Sequence, residues 1–335
     1  MKTHRNLPFF VPHAGCPNCC VFCSQTKITG EKCEKELALE IAELRKMCES
    51  EGGSFDESQI AFFGGSFTAI KRDRMEALLA VANEYIAKGV ASGIRISTRP
   101  DCIDEEILSI LKRYRVTNIE LGIQSTDDSV LRKCERGHDS RASFESSKMI
   151  VNGGFELCGQ MMIGLPISSP ESEIQTAHDI VRMGATEARI YPTVVFEETK
   201  LYDMTLSGEY VPMELDEAVK RTAKCYRVFL DAGVKLLRIG LHASENLKKA
   251  PYGANHQALG ELVKGEVYTD IISDMAGDCG GRILCVHIRR ADTSMLCGHS
   301  GRAIARLKEK TGCAEVEIIP SDLPQFKPLI TTRSV

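Results

Sequence analysis

Four cysteines crowd into one short stretch, Cys16-Pro17-Asn18-Cys19-Cys20-Val21-Phe22-Cys23, and their spacing limits the chemistry available. Cys16, Cys20 and Cys23 follow a C-x3-C-x2-C pattern. Three thiolates on one tight loop can hold three irons of a [4Fe–4S] cluster and leave the fourth iron open for a ligand. Taken as two abutting C-x2-C units, the same thiols suggest a zinc site. Zinc knuckles are usually a dozen or more residues apart, so that their ligands can close a tetrahedron. Cys19 and Cys20 are adjacent and do not easily point at one metal. The chain holds 14 cysteines in all. Cys48, Cys102, Cys134, Cys158 and Cys225 sit singly in apolar patterns and read as small core residues. Cys279, Cys285, Cys297 and Cys313 have no recognised ligand spacing. Clustered thiols in a reduced chain serve as ligands more often than as disulfides.

Such a loop needs a scaffold. Apolar residues recur at helical spacing at Leu37, Ile41, Leu44 and Cys48, at Met75, Leu78, Leu79, Ala82 and Tyr85, and at Ile103, Ile107, Leu111 and Tyr114. Ser169-Pro170 supplies a cap and a first-turn proline for a helix carrying Ile174, Ala177 and Val181. Val219, Thr222, Ala223, Tyr226 and Leu230 form another, stopped by Gly233. Between them lie β-rich runs at 59–63, 94–98, 117–123, 157–163, 188–195 and 234–239. About six strand–helix units in series predict a parallel α/β sheet, and spacing alone does not separate an open doubly wound sheet from a full or partial barrel.

Polar residues gather just past the strand ends, where parallel α/β enzymes build their sites. Gly64-Gly65-Ser66 follows Phe62-Phe63, and Arg99-Pro100-Asp101 follows the strand ending at Thr98. Gln124-Ser125 follows Glu120-Leu121-Gly122-Ile123, and Gly164-Leu165-Pro166 follows the strand that begins with Gln160. The cysteine loop itself follows Phe9-Phe10-Val11. Five such coincidences predict one catalytic mouth. Two glycines after a buried strand also let a ligand approach bare backbone, whose carbonyls can accept from an ammonium group.

The three-cysteine spacing, with the aromatic Phe22 just before the last cysteine, resembles the signature of radical S-adenosylmethionine (SAM) enzymes. The resemblance implies that Cys16, Cys20 and Cys23 ligate the cluster and that Cys19 is surplus. It implies that SAM chelates the open iron and is cleaved reductively, so that a 5′-deoxyadenosyl radical abstracts hydrogen from substrate. Gly64-Gly65-Ser66, about 40 residues after the cysteine loop, looks like the superfamily's motif for the SAM amino group.

Six further motifs narrow the likeness: Ile96-Ser97-Thr98-Arg99-Pro100-Asp101, Glu120-Leu121-Gly122-Ile123-Gln124-Ser125, Arg136-Gly137-His138, Met162-Ile163-Gly164-Leu165-Pro166, Arg189-Ile190-Tyr191-Pro192-Thr193 and Thr199-Lys200-Leu201-Tyr202. In order, over roughly residues 9–245, they resemble the radical-SAM part of the elongator catalytic subunit. The resemblance implies SAM contacts at Phe22, Gly64, Gly65, Ser66, Thr98, Arg99, Gln124, Ser125, Arg136 and Gln160. Gln124 and Arg136 match SAM-contacting positions of the oxygen-independent coproporphyrinogen III oxidases, and an arginine fork suits a SAM carboxylate. Arg136 can equally be a solvated helix-end charge, and Gln160 an ordinary polar strand residue. Tyr191 and His138 are candidates to position substrate or SAM, with a satisfied core role the simpler reading of His138. Ser97 stands where an acid is expected.

Two departures bound the transfer. The elongator subunit spaces its first two cluster cysteines more widely, and it carries an acetyltransferase domain for which the residues after Leu241 are too few. The expectation is a chain without that domain and without a basic N-terminal extension for tRNA.

The tail carries a separate pattern. Gly298-His299-Ser300-Gly301 follows an apolar run at 283–288 and precedes Ile304 and Leu307 at helical spacing, then Thr311-Gly312 and a run at 316–319. This looks like a KH-type RNA-binding unit, whose GXXG loop clamps a nucleotide backbone. Gly298, Gly301, Arg302 and Arg306 are its candidate contacts. A structural cap is the alternative.

The expected architecture is therefore α/β, a partial (β/α)6 TIM-like barrel over residues 1–245, followed by a small C-terminal α+β domain over 246–335. A net charge of −4 excludes a strongly basic nucleic-acid scaffold, and no apolar run approaches a membrane span. A cytoplasmic enzyme is expected, binding a [4Fe–4S] cluster and SAM and drawing on an unidentified electron donor. RNA, with tRNA first, is the expected substrate. The alternatives are a small molecule such as a tetrapyrrole, or a zinc-stabilised RNA-binding protein.

Overall fold

Parallel strands following one another in sequence and in space make the frame of the first unit. The computed structural model describes residues 5–11, 16, 20–23, 35–50, 58–241, 245–298 and 301–335. The elements in chain order are β1 (Arg5–Phe10), α1 (Leu37–Ser50), β2 (Ser58–Phe63), α2 (Arg72–Ala87), β3 (Gly93–Thr98), α3 (Glu105–Arg113), β4 (Val116–Gln124), α4 (Asp128–Lys133), α5 (Ser140–Asn152), β5 (Glu156–Ile163), α6 (Pro170–Arg182), β6 (Glu187–Pro192), β7 (Val194–Val195), α7 (Lys200–Leu206), α8 (Leu215–Asp231), β8 (Lys235–Ile239), α9 (Glu245–Lys248) and β9 (Tyr252–Gly253).

Seven strands pair in the order β1-β2-β3-β4-β5-β6-β8, every neighbour parallel. A doubly wound sheet reverses its strand order at a switch point. This order never reverses, so each crossover lays its helix on the same side and the sheet curls into a partial barrel. The structure thus settles the choice that strand spacing left open.

Local signals agree with the tertiary frame. Asp104 caps α3 by accepting from Ile107 N at 2.7 Å, and Ser169 and Ser172 form a capping box at α6, where Pro170 fills the first turn. The apolar run at 188–195 divides. Pro192 has no N–H to extend the β6 ladder, Thr193 N donates instead to Ile163 O at 2.8 Å, and β7 turns away to pair antiparallel with β9. Helix α5 buries Ser143, Ser146 and Ser147, and the Ser146 hydroxyl donates back to Ala142 O at 2.7 Å. A helix that buries serines has no apolar stripe to announce it.

The chain groups into two compact units, Met1–Met213 with Val228–Asn255, and Glu214–Arg227 with His256–Val335. The second holds α10 (Leu259–Ala276), β10 (Ile283–Arg289), α11 (Thr293–Cys297), α12 (Arg302–Thr311), β11 (Glu315–Ser321) and β12 (Leu329–Arg333). Its sheet runs β11-β10-β12, with β11 parallel and β12 antiparallel to β10. Its core includes the buried Tyr268, whose hydroxyl donates to Asp292 Oδ2 at 2.6 Å and accepts from Phe326 N at 2.8 Å.

Candidate active site and cofactor centre

Residues 20–23 are held by backbone on two sides. Cys23 N donates to Cys20 O at 2.9 Å, closing a tight turn, while Val21 N donates to Cys134 O at 3.1 Å and Val21 O accepts from Leu201 N at 2.8 Å. Val21 is buried with Val130, Cys134, Leu165, Val195, Leu201 and Tyr210, and Phe22 packs against them. Cys20 is buried; Cys16 and Cys23 are half-buried. Cys19 lies outside the described residues.

Two guanidiniums approach the cysteines. Arg136 donates through Nη1 to Cys20 Sγ at 3.3 Å and through Nη2 to Gly122 O at 2.6 Å, and its buried Nε has no partner among the described residues. Arg99 reaches Cys20 Sγ at 3.9 Å, donates to the Arg136 carbonyl, and pairs with Asp101 at 2.9 and 3.0 Å. Burial pushes the Cys16 thiol up from its ordinary value, and the charges of Arg99 and Arg136 pull the other way. A Cβ at Gly122 would stand 2.9 Å from both Arg136 Nη2 and Gln124 Nε2, so a larger residue there would displace the ends of both side chains.

The glycine turn follows β2. Gly64 has φ +108°, and a Cβ on it would meet Val11 O at 2.7 Å, so bare backbone is required there. Ser66 and Thr98 are buried behind this turn. Their hydroxyls share a hydrogen bond at 2.9 Å, Thr98 shares another with Thr68 at 2.6 Å, and Ser66 Oγ accepts Arg99 N at 3.2 Å. Both act here as wall fasteners between β2 and β3.

A cavity of about 280 Å³ opens at the strand ends. Of the residues expected from sequence, Phe22, Cys23, Gly64, Gly65, Gln124, Gln160 and Tyr191 line it. Gln124 takes a left-handed φ of +66° at a register shift between β4 and β5, a strained conformation of the kind that collects at functional sites. Cys16, Cys20, Ser66, Thr98, Arg99, Ser125 and Arg136 are not on its wall. Ser125 is buried and its Oγ accepts Asp127 N at 3.1 Å, which orders the start of α4.

His138 is enclosed as well. Its side chain is 0% exposed, its Nδ1 is 4.0 Å from Asp101 Oδ1, and neither ring nitrogen makes a hydrogen bond among the described residues. Burial, reinforced by the Arg136 charge, pushes its pKa down to about 4. It is a neutral, buried residue that does not line the cavity.

Tail candidates sit in the second unit. Gly298 would carry a Cβ 2.4 Å from Ser294 O, and Gly301 takes a left-handed φ of +72° ahead of α12. The two residues between them lie outside the described residues. Arg302 and Arg306 are less available than their sequence suggests. Arg302 Nη1 pairs with Asp216 at 2.5 Å, and Arg306 pairs with the buried Glu266.

Sequence reasoning missed the inner wall of the barrel. Glu120, Arg189 and Arg238 line the cavity beside Ser97, the position where the sequence led us to expect an acid. Glu120 is fully buried. Its Oε1 accepts from Arg95 at 3.2 Å and from Arg189 at 2.8 and 3.1 Å, while Oε2 accepts from Gln160 at 2.7 Å and Ser97 at 3.2 Å. Below it, Arg95 also pairs with Glu187 at 2.7 Å and donates to Gln59 at 2.8 Å. The missed signal was alternation. Arg95 and Ser97, Asn118 and Glu120, and Arg189 and Tyr191 are spaced by two within strands that a parallel sheet normally fills with apolar residues.

A partial parallel barrel with a cysteine loop, a glycine turn and a polar cavity at its strand ends is the frame of one superfamily, and the sequence agrees. The chain belongs to the Radical SAM superfamily, which residues 10–180 match, and residues 185–269 match the Radical_SAM C-terminal domain. It is a radical SAM enzyme. Among curated relatives it is similar to an uncharacterized protein of Methanocaldococcus jannaschii, 30% identical over 216 residues, covering 61% of this chain and 66% of that one. It also resembles the tRNA uridine(34) acetyltransferase of Methanocaldococcus infernus, 31% identical over 51% of this chain and 36% of the relative. Elongator complex protein 3 of Homo sapiens is 30% identical over 57% of this chain and 40% of the relative. The chain therefore matches less than two thirds of each relative's length. Of solved structures, the archaeal Elp3 of Methanocaldococcus infernus superposes with TM-score 0.62 at 21% identity, covering 80% of this chain and 68% of that one. Coproporphyrinogen III oxidase from Escherichia coli, a radical SAM enzyme, gives 0.51 at 16% identity over 70% and 54%. These two likenesses establish the fold.

The superfamily implies SAM and a [4Fe–4S] cluster, and the local chemistry fits that pair. Among the described residues two buried cations face one carboxylate and a cysteine sulfur, and one Arg136 nitrogen there has no partner, which leaves positive charge for thiolates and a carboxylate to offset. Among the described residues no three Cys, His, Asp or Glu side chains converge on a single-ion site. A cube asks for something else, since each thiolate takes a different corner.

Proposed function

We propose that the chain is a radical SAM enzyme that modifies RNA, with tRNA the first substrate. Cys16, Cys20 and Cys23 hold a [4Fe–4S] cluster, and Arg99 and Arg136 offset its charge from behind. When bound, the cluster and SAM supply a carbon-centred radical that removes hydrogen from substrate. The chain's own residues orient and shield. Gly64 and Gly65 present carbonyls to the SAM ammonium group, Arg136 offers the SAM carboxylate an Nε that is unpaired among the described residues, and Gln124 reaches the cavity from a strained backbone. Glu120, Ser97 and Gln160 form a polar floor suited to sugar hydroxyls, and Phe10, Phe22, Phe63 and Phe196 keep water out.

The observation that carries this reading is the Arg136 guanidinium at 3.3 Å from Cys20 Sγ, on the turn whose last residue, Cys23, lines the cavity together with Gly64. The choice of RNA is supported by the names of the tRNA uridine(34) acetyltransferase and elongator relatives. A second feature favours it. Residues 246–335 include a KH-like order of strand, helix, Gly298-to-Gly301 loop, helix and parallel strand, suited to holding a nucleotide backbone. The cellular place is the cytoplasm, with an electron donor supplied in trans.

The test is anaerobic reconstitution with iron and sulfide, reduction in the presence of SAM, and measurement of 5′-deoxyadenosine with and without bulk tRNA. Stimulation by tRNA and a new modified nucleoside are expected. Zinc at one per chain with no iron, or nucleoside cleavage that tRNA leaves unchanged while a tetrapyrrole accelerates it, overturns the reading.

A further inference from the structure

The cavity's far wall, on β6 and β8, carries an imbalance of charge. Three guanidiniums face inward on the strands there and below: Arg95, Arg189 and Arg238. Two carboxylates answer them, Glu120 and Glu187. Arg95 pairs with both, and Arg189 pairs with Glu120 through Nε and Nη2. Arg238 has no carboxylate among the described residues. Its Nε and Nη2 donate to the carbonyls of Gly240 at 3.0 Å and Leu241 at 3.2 Å, which fix the plane of the guanidinium. Those two bonds leave the two Nη1 protons and one on Nη2, and Arg238 lines the cavity.

Tyr191 shares this wall, and it interacts with both Arg189 and Arg238. Burial raises the Tyr191 phenol above its ordinary value, so it remains a neutral O–H donor. Burial and the neighbouring Arg189 charge both work against the Arg238 cation. A half-buried cation with a fixed plane, no counter-ion among the described residues and a phenol beside it is set up to receive an oxyanion. Val194, Phe196, Leu241 and Leu247 bound the same corner with apolar surface, which strengthens a charge-assisted bond made there.

The geometry points to an oxyanion-binding subsite at Arg238 and Tyr191 that takes a carboxylate or phosphate of the substrate and so fixes which substrate carbon faces the cofactor side. The assignment rests on reading this mouth as the substrate site. It places Arg238 as a specificity residue on β8, away from Cys23 and Gly64 at the β1–β2 end.

The experiment uses the full chain before cluster reconstitution, so its outcome is separate from that of radical chemistry. Phenylglyoxal modification at Arg238 is mapped by mass spectrometry, alone and with saturating inorganic phosphate or glutarate. Protection of at least fivefold by phosphate alone identifies a phosphate site, and by glutarate alone a carboxylate site. The dissociation constant of the protecting anion should rise at least tenfold in Arg238→Gln and about threefold in Tyr191→Phe, while Arg238→Lys keeps the charge and recovers part of the loss. Thermal melting checks that the Gly240 and Leu241 carbonyls tolerate each change. No protection by either anion, or unaltered binding in a folded Arg238→Gln, overturns the subsite. So does a tenfold loss of SAM affinity in reconstituted Arg238→Gln, which makes Arg238 a cofactor contact. If wild-type protein shows protection but never forms 5′-deoxyadenosine, the subsite stands and the proposed chemistry falls.

Discussion

Arg99 and Arg136, in the partial barrel, aim their guanidiniums at a cysteine sulfur, whereas Arg302 and Arg306, in the C-terminal unit, aim theirs at carboxylates. Sequence charge does not distinguish the two pairs. The difference is in the acids that reach them. Among the described residues Asp101 is the one carboxylate partner of the first pair, and it serves Arg99; Arg136 ends on a sulfur and a carbonyl. In the second unit Asp216, Glu266 and Asp270 neutralise Arg302, Arg306 and Lys310 one for one. Buried cations short of acids are prepared for an incoming anion, while matched ones mainly hold helices together.

The strongest break of this contrast comes at the thiols. Cys16→Ala, Cys20→Ala and Cys23→Ala should each lose the four-iron cluster and bring 5′-deoxyadenosine down to background. Iron and sulfide assays after anaerobic reconstitution check it. A full iron content in Cys20→Ala would mean that Arg136 faces that sulfur for structural reasons alone.

Next in size is the acid that holds the inner wall together. Glu120→Gln leaves Arg95 and Arg189 sharing less negative charge in a buried site, where breaking a paired charge costs about 3–5 kcal/mol. Chemical denaturation should show that loss. Glu187→Gln should cost less, because Glu187 is 12% exposed and its side of Arg95 can recruit water.

Arg136→Gln tests the wall behind the cysteines. Partners that orient metal ligands typically contribute 10–100-fold to metal affinity or activity. Iron retention or SAM affinity should fall by a factor in that range, with the melting temperature changed less than in Glu120→Gln. Equal loss in all three measures would make Arg136 a structural post.

How much of this was readable beforehand depends on the range of the interaction. The strand and helix positions were legible because period and caps are local: Asp104, Ser169 and Pro170 mark their helices without help from distant residues. Helix α5 was hidden because its buried face is serine. The cysteine loop, the glycine turn and Gln124 were legible because each lies at the end of a strand. Glu120, Arg189 and Arg238 were not, since each lies inside or at the close of a strand where a lone charge reads as a solvent face. Only the curl of the sheet brings Glu120 to Arg189, 69 residues away. The tail arginines misled for the same reason, as Asp216 is remote from Arg302 in sequence.

His138 sharpens the comparison through pH. Held between guanidiniums and walled from water, its pKa falls to about 4 in the folded chain, against an ordinary value near 6.5. Below the ordinary value the unfolded chain takes up a proton that the folded chain refuses. Stability is therefore lost as pH falls through 6.5, and the loss is complete below about 4. At pH 5 the penalty is about 2 kcal/mol. His138→Gln should remove that slope between pH 7 and 5 in urea titrations, and an unchanged slope would place the proton uptake elsewhere.

The smallest effect belongs to the tail. Arg302→Gln breaks a pair whose acid, Asp216, is 68% exposed, so stability should change by at most about 1 kcal/mol. If the unit holds RNA, binding should depend on basic residues that no acid neutralises. Arg282, Arg290 and Lys308 are exposed, and none has an ion-pair partner among the described residues. Arg290→Glu or Lys308→Glu should weaken tRNA binding and lower the slope of log affinity against log salt by about 1 for each lost phosphate contact. Arg302→Gln should leave that slope alone, because its charge is already answered by Asp216. A slope that drops with Arg302 and ignores Arg290 and Lys308 would show that RNA displaces the Asp216 pair, and would move the tail arginines into the same category as those of the barrel.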